Sequence, residues 1–203
     1  IFDMPNTSRP IFNEERLKER FALADKANIP EVFYGAYIGL TKNIEQVKGA
    51  IQTYRKFFPK AVGFKLYAGH SVGQLGVIDL EDQFNIYQTL YEEGFDGVLA
   101  VHCEKESKLL PDLWKSKNPI SHCYARPEES EIESVLDQIT LTIKTGFKGK
   151  LHIAHISSPV AVSIVNRAKN SGIDVSCGIC PHHFIYDWNK MLNEKGIIYK
   201  MNP

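Results

Sequence analysis

Gly63-Phe64-Lys65-Leu66-Tyr67-Ala68-Gly69-His70 (GFKLYAGH) is the stretch that decides how this chain folds. With Ala61 and Val62 leading in, it has the continuous apolar character of a strand buried in a parallel sheet, and glycines bound it. Lys65 stands where such a strand should carry another Val or Ile. A lysine there either snorkels to water or pairs with a carboxylate, or it gives up its charge. Burial near metal cations disfavours the ammonium and leaves a neutral, nucleophilic amine. Such an amine can capture carbon dioxide as a carbamate, an anionic two-oxygen group able to bridge two metal ions. Metal ligands are then expected at matching positions elsewhere.

Outward from this strand, further strands alternate with helices. On the N-terminal side lie a short strand at Ile1–Met4, an amphipathic helix over Asn13–Ala27 capped by Asn13, a strand at Val32–Ile38, and a helix capped by Thr41 that runs to Phe58 and stops at Pro59. On the C-terminal side, a glycine-rich loop (His70–Val77) precedes a helix at Leu80–Glu93 and a strand at Gly97–His102. An irregular segment from Cys103 to Pro127 follows, broken by Pro111 and Pro119, and a segment of that length is more often functional than idle. Next come a helix at Ser130–Thr145, a strand at Lys150–Ile156, a helix at Pro159–Asn170, a strand at Ile173–Gly178, a short helix at Asp187–Glu194 and the start of a strand at Ile197–Met201. This alternation, at roughly 25–50 residues per unit, implies parallel βαβ units. Six or seven are visible where about eight close a barrel. The expected fold is α/β: a (β/α)8 TIM-type barrel, with residues 1–203 as one domain, a central fragment lacking the first and last strands. A doubly wound open sheet is the alternative, weakened in its dinucleotide-binding form because no G-x-G-x-x-G follows a strand.

Composition narrows the function. The 203 residues are 43% hydrophobic, enough for a sizeable core, and Lys+Arg balance Asp+Glu at 24 each, so net charge favours neither nucleic acid nor an anionic membrane. With no long apolar run and no basic-then-apolar leader, neither a membrane span nor a signal peptide is expected, and the cytoplasm is the expected compartment. Cys103, Cys123, Cys177 and Cys180 are expected as free thiols. The C-x-x-C at 177–180 closes an apolar run and has no second C-x-x-C to complete a zinc ribbon.

In a parallel barrel the chemistry sits at the C-terminal ends of the strands. Those positions are polar here: Asn6 follows the first strand, Lys65 lies late in the third, His102 ends the fourth and His155 nearly ends the fifth. Imidazole suits zinc. His152 and His155 are three apart, so on a strand only one faces the interior. His155, nearer the strand end, is the expected ligand, and His152 a hydrogen-bonded packing residue. His122, His182 and His183 read as loop or rim.

Seven ordered segments carry a resemblance: DMPNT at 3–7, GFKLYAG at 63–69, VHCE at 101–104, RPEESE at 126–131, HIAHISS at 152–158, CPHHF at 180–184 and KMNP at 200–203. Together the chain resembles dihydroorotase, a cyclic amidohydrolase of pyrimidine biosynthesis that interconverts N-carbamoyl-aspartate and dihydroorotate. Hydantoinases and allantoinases share the superfamily plan. The resemblance implies a barrel in which Lys65 is the carboxylated bridge between two zinc ions, His102 and His155 are ligands of the second metal, and Asn6 and Asn202 hold the substrate carboxylate and ring amide. It implies zinc and carbon dioxide (as the lysine carbamate) as cofactors, a small-molecule substrate, and a homo-oligomer that can pair with aspartate transcarbamoylase. The departures are equally specific. The family's H-x-H pair and substrate arginine would precede Ile1, and its aspartate, the general base, would follow Pro203. Many relatives have a glutamate in the segment written here Cys177-Gly178-Ile179-Cys180-Pro181, and they lack a histidine at position 70. The fragment alone is therefore expected to be inactive. Two alternatives follow: a non-catalytic subunit that scaffolds aspartate transcarbamoylase, and a hydantoinase or dihydropyrimidinase with a different ring substrate.

Overall fold

Successive side chains of a strand point to opposite faces of the sheet, and the face carrying the large apolar residues meets the helices. The computed structural model describes residues 1–71 and 74–202. Six strands form one parallel sheet in the order of the sequence: β1 (Phe2–Asp3), β2 (Gly35–Gly39), β3 (Ala61–Ala68), β4 (Val98–Cys103), β5 (Lys150–Ile153) and β6 (Val175–Cys177). The order never reverses, which excludes the doubly wound alternative, whose strand order must switch direction. Helices α1 (Glu14–Ala27), α2 (Ile44–Phe57), α3 (Leu80–Glu92), α5 (Glu128–Thr145) and α6 (Pro159–Asn170) fill the crossovers. Right-handed crossovers between consecutive parallel strands put all of them on one side of the sheet. Short helices α4 (Ser121–Ala125) and α7 (Pro181–Ile185) follow β4 and β6. No helix among the described residues is long and apolar enough to cross a membrane.

Toward the helices point Phe64 and Leu66 of β3, Leu99 and Val101 of β4, Leu151 and Ile153 of β5 and Val175 of β6, all within the main apolar cluster. Each fully buried side chain of this size contributes about 1.5–3 kcal/mol. The alternate residues, Gly63, Lys65, Tyr67, Ala100, His102, His152 and Ser176, line the opposite, inner face. Gly63 has φ +155°, and a Cβ there would stand 2.5 Å from the Val98 carbonyl, so only glycine lets β3 and β4 approach beneath Lys65.

Several expected boundaries move. The strand at Val32–Ile38 begins only at Gly35, because the Val32 amide donates to Ile29 O and closes a turn. Asn43, not Thr41, caps α2, accepting from the amides of Glu45 and Gln46. α5 begins at Glu128, two residues early, with Glu128, Glu129 and Glu131 in its first turn, where carboxylates complement the helix dipole. β5 stops at Ile153 rather than Ile156. The expected helix at Asp187–Glu194 is a 3-10 turn at Trp188–Met191, and the expected strand at Ile197–Met201 gives way to a 3-10 helix at Glu194–Tyr199. There Gly196 packs so closely on Met191 that a Cβ would lie 2.6 Å from the Met191 Cα. Of the loop expected at His70–Val77, Val72 and Gly73 lie outside the described residues, as does Pro203 of the KMNP segment.

Candidate metal centre

Register brings the site together. Lys65 pairs with Ala100, Ala100 with His152, and His152 with Ser176, so these four lie in one row across the inner face. One row nearer the C-terminal ends, Tyr67 pairs with His102.

Lys65 is 2% exposed and its Nζ has no hydrogen-bond partner. It lies 4.9 Å above the Tyr67 ring. Burial lowers its pKa to about 7, against a weaker opposing effect of Cys103. A neutral amine is therefore well populated near neutral pH. Cys103, on the helix side of the same region, is pushed up to about 12 by burial and stays a thiol; all four cysteines are free.

His102 Nδ1 and His155 Nε2 stand 3.2 Å apart. Two nitrogens bound to one tetrahedral zinc at about 2.0–2.1 Å are themselves about 3.3 Å apart, so the pair has the spacing of two ligands of one ion. His155 reaches this place from outside the strand. It takes φ +40° in the turn after β5, a conformation uncommon for a residue with a Cβ. Burial, followed by the nearby Lys65 and His102, lowers its pKa to about 3, so the ring is neutral and has a lone pair to offer.

Behind His102, its Nε2 lies 3.0 Å from Glu104 Oε2, and Glu104 also accepts from Arg126 Nε at 2.8 Å and Nη2 at 2.5 Å. Burial alone would raise the Glu104 carboxyl, but the His102 and Arg126 hydrogen bonds and charges bring it down to about 2. A second carboxylate, Glu131, accepts from the Ser157 amide and hydroxyl and from the Ser158 amide at 2.7–2.8 Å, and so holds the turn that carries His155.

Lys65 Nζ and His155 Nδ1 are buried without hydrogen-bond partners. Buried polar atoms are rarely left unpaired, and a lysine near two imidazoles is a donor set suited to zinc. Among the described residues no group of three or more His, Cys, Asp and Glu side chains is poised to hold a metal ion. The site as it stands is two imidazoles and an amine, part of a centre.

The other expected residues fall as follows. Asn6 is exposed just beyond β1, its backbone beside the Tyr67 hydroxyl. Asn202 is exposed, and its neighbour Met201 is held through its carbonyl by His122 Nε2 at 2.7 Å. His152 is hydrogen-bonded as expected, to Ser176 Oγ at 2.9 Å. The expectation that only one of His152 and His155 turns inward is corrected, because His152 shares the Lys65 row while His155 has left the strand. His70 pairs with Glu106 at 2.5 Å on the surface, and His183 Nδ1 donates to the Ile156 carbonyl. Glu104, Arg126 and Glu131 were not singled out by sequence. All three stand in quoted segments, VHCE and RPEESE, but only Glu104 carries a geometric signal, since a residue two beyond His102 on a strand shares its face.

No family model matches the chain. It is 32% identical over 151 residues to the allantoinases of Salmonella paratyphi B and Salmonella newport, covering 70% of this chain and 32% of each of theirs. Its fold is similar to that of the L-hydantoinase (dihydropyrimidinase) of Arthrobacter aurescens, with TM-score 0.78, 24% identity and coverage of 94% of this chain and 41% of that one. The dihydropyrimidinase of Brevibacillus agri NCHU1002 gives TM-score 0.71 at 21% identity, covering 94% and 40%. The chain thus spans about a third of the length of the curated relatives it matches. These relatives are cyclic amidohydrolases, and the six strands are a part of their barrel fold.

Proposed function

We propose that the intact protein is a metal-dependent hydrolase of a cyclic amide, of the hydantoinase and allantoinase kind, and that this chain carries the lysine bridge and two histidine ligands of its metal centre. The observation that carries this reading is the partnerless Lys65 amine, buried on the inner face that also carries His102, whose Nδ1 stands at ligand spacing from His155 Nε2. Lys65, His102 and His155 would hold zinc, which when bound supplies a Lewis acid and a water of lowered pKa. The neutral Lys65 amine would attack the carbon of carbon dioxide; an N–C bond forms, a C–O π pair moves to oxygen, and one ammonium proton leaves to solvent. Neutral His155 offers a lone pair without first losing a proton.

The narrower dihydroorotase reading keeps the support of DMPNT, CPHHF and KMNP, with Asn6 and Asn202 as substrate-binding residues. The named relatives give hydantoin, dihydropyrimidine and allantoin rings at least an equal claim. Turnover of dihydroorotate, dihydrouracil, hydantoin and allantoin, measured side by side on the intact protein, separates these. A kcat/KM highest for dihydroorotate selects the narrower reading, a maximum on any other ring removes it, and no turnover of any removes the hydrolase.

A further inference from the structure

We propose that Arg126, acting through Glu104, is the positioning residue that presents His102 to the metal through Nδ1. This rests on the metal-centre reading above. Glu104 is 1% exposed and both its oxygens are engaged: Oε1 by Arg126 Nε, Oε2 by Arg126 Nη2 and by His102 Nε2. A planar guanidinium that grips both oxygens fixes the plane of the carboxylate as well as its place, which a lysine cannot do. An ionised carboxylate only accepts hydrogen bonds, so the proton of His102 is held at Nε2 and the lone pair falls on Nδ1. That is the nitrogen facing His155.

The chain goes to some length to deliver the arginine. Arg126 follows α4, its amide donating to His122 O, at the end of the long excursion after β4. The Lys105 amide donates to Ser130 O, tying the start of that excursion to the first turn of α5. The excursion therefore returns the guanidinium to a point two residues past the ligand it serves. An exposed ion pair would contribute little, whereas here a nearly inaccessible carboxylate depends on one fork for its orientation. Without Arg126 the carboxylate is free to turn, and both tautomers and ring positions of His102 become available.

The test uses the intact protein and its Arg126→Met variant, with Arg126→Lys replacing it should the former not fold. Zinc affinity is measured by chelator competition, the Co2+ absorption spectrum is recorded, and the His102 tautomer is read by nitrogen-15 NMR on metal-free, histidine-labelled protein. The expected result is a single Nε2–H tautomer and tight zinc in the wild type, with mixed tautomers, an altered cobalt spectrum and a roughly 10–100-fold loss of zinc affinity in the variant. Wild-type protein that binds no zinc yet keeps the single tautomer would overturn the metal reading while sustaining the positioning. A variant matching wild type in tautomer and, where zinc binds, in affinity and spectrum would overturn the positioning.

Discussion

Lys65 is held at a cost. Its amine is buried without a partner, and burying a polar group unpaired costs roughly 1–3 kcal/mol on the scale of protein substitutions. The burial of Phe64 and Leu66 on the other face of β3 offsets it. Lys65→Met, which keeps the length and loses the amine, is predicted to stabilise the metal-free protein by about 1–3 kcal/mol and to abolish metal uptake. Urea unfolding and zinc analysis check both halves, and a variant no more stable than wild type contradicts the idea that the amine is held under strain for function. Lys65 was legible in the sequence because a charge inside an apolar run is conspicuous. Glu104 was half legible, from its spacing to His102, but Arg126 lies 22 residues away along the chain, and only the fold shows which carboxylate a loop arginine meets.

At the scale of elements, the turn after β5 matters most. A strand running over all of Lys150–Ile156 would turn only one of His152 and His155 inward. The strand ends at Ile153 and His155 turns back at positive φ, and a residue other than glycine in that conformation leaves no trace in a sequence. What holds the turn is Glu131 of α5, with Glu128 accepting from the Ser158 hydroxyl at 2.5 Å while Ser158 caps α6 through the Ala161 amide. Glu131→Ala is predicted to cost about 3 kcal/mol, since three hydrogen bonds to a carboxylate are lost and two amides are left without partners. A loss under about 1 kcal/mol in urea unfolding would show that the turn holds itself. Asn43→Ala, by contrast, should cost only about 1 kcal/mol, the ordinary worth of an exposed N-cap.

Over the whole molecule, parallel order was readable from the alternation of elements, because each strand and helix declares itself locally. The last segment was not, since the apolar run at Ile197–Met201 has the composition of a strand but Gly196 seats it as a 3-10 helix against Met191. Two ionisable groups of the site, His155 and Glu104, weaken the fold in acid, while Glu131, raised by burial, acts in the opposite direction. His155 is lowered to about 3 from 6.5 and Glu104 to about 2 from 4.5, so in each interval the unfolded chain binds more protons than the folded one. The stability from Glu104 is complete above its unfolded value and is lost as pH falls through about 2, and that from His155 is lost from about 6.5 down to 3. The metal-free protein is predicted to weaken progressively below pH 6.5; unfolding free energies flat from pH 7 to 3 would contradict these burials. The most direct measurement is zinc content together with turnover of the four rings, made on the intact polypeptide purified in bicarbonate. About two zinc ions per chain with turnover of at least one ring is the predicted result; protein that holds no zinc and opens no ring would contradict it.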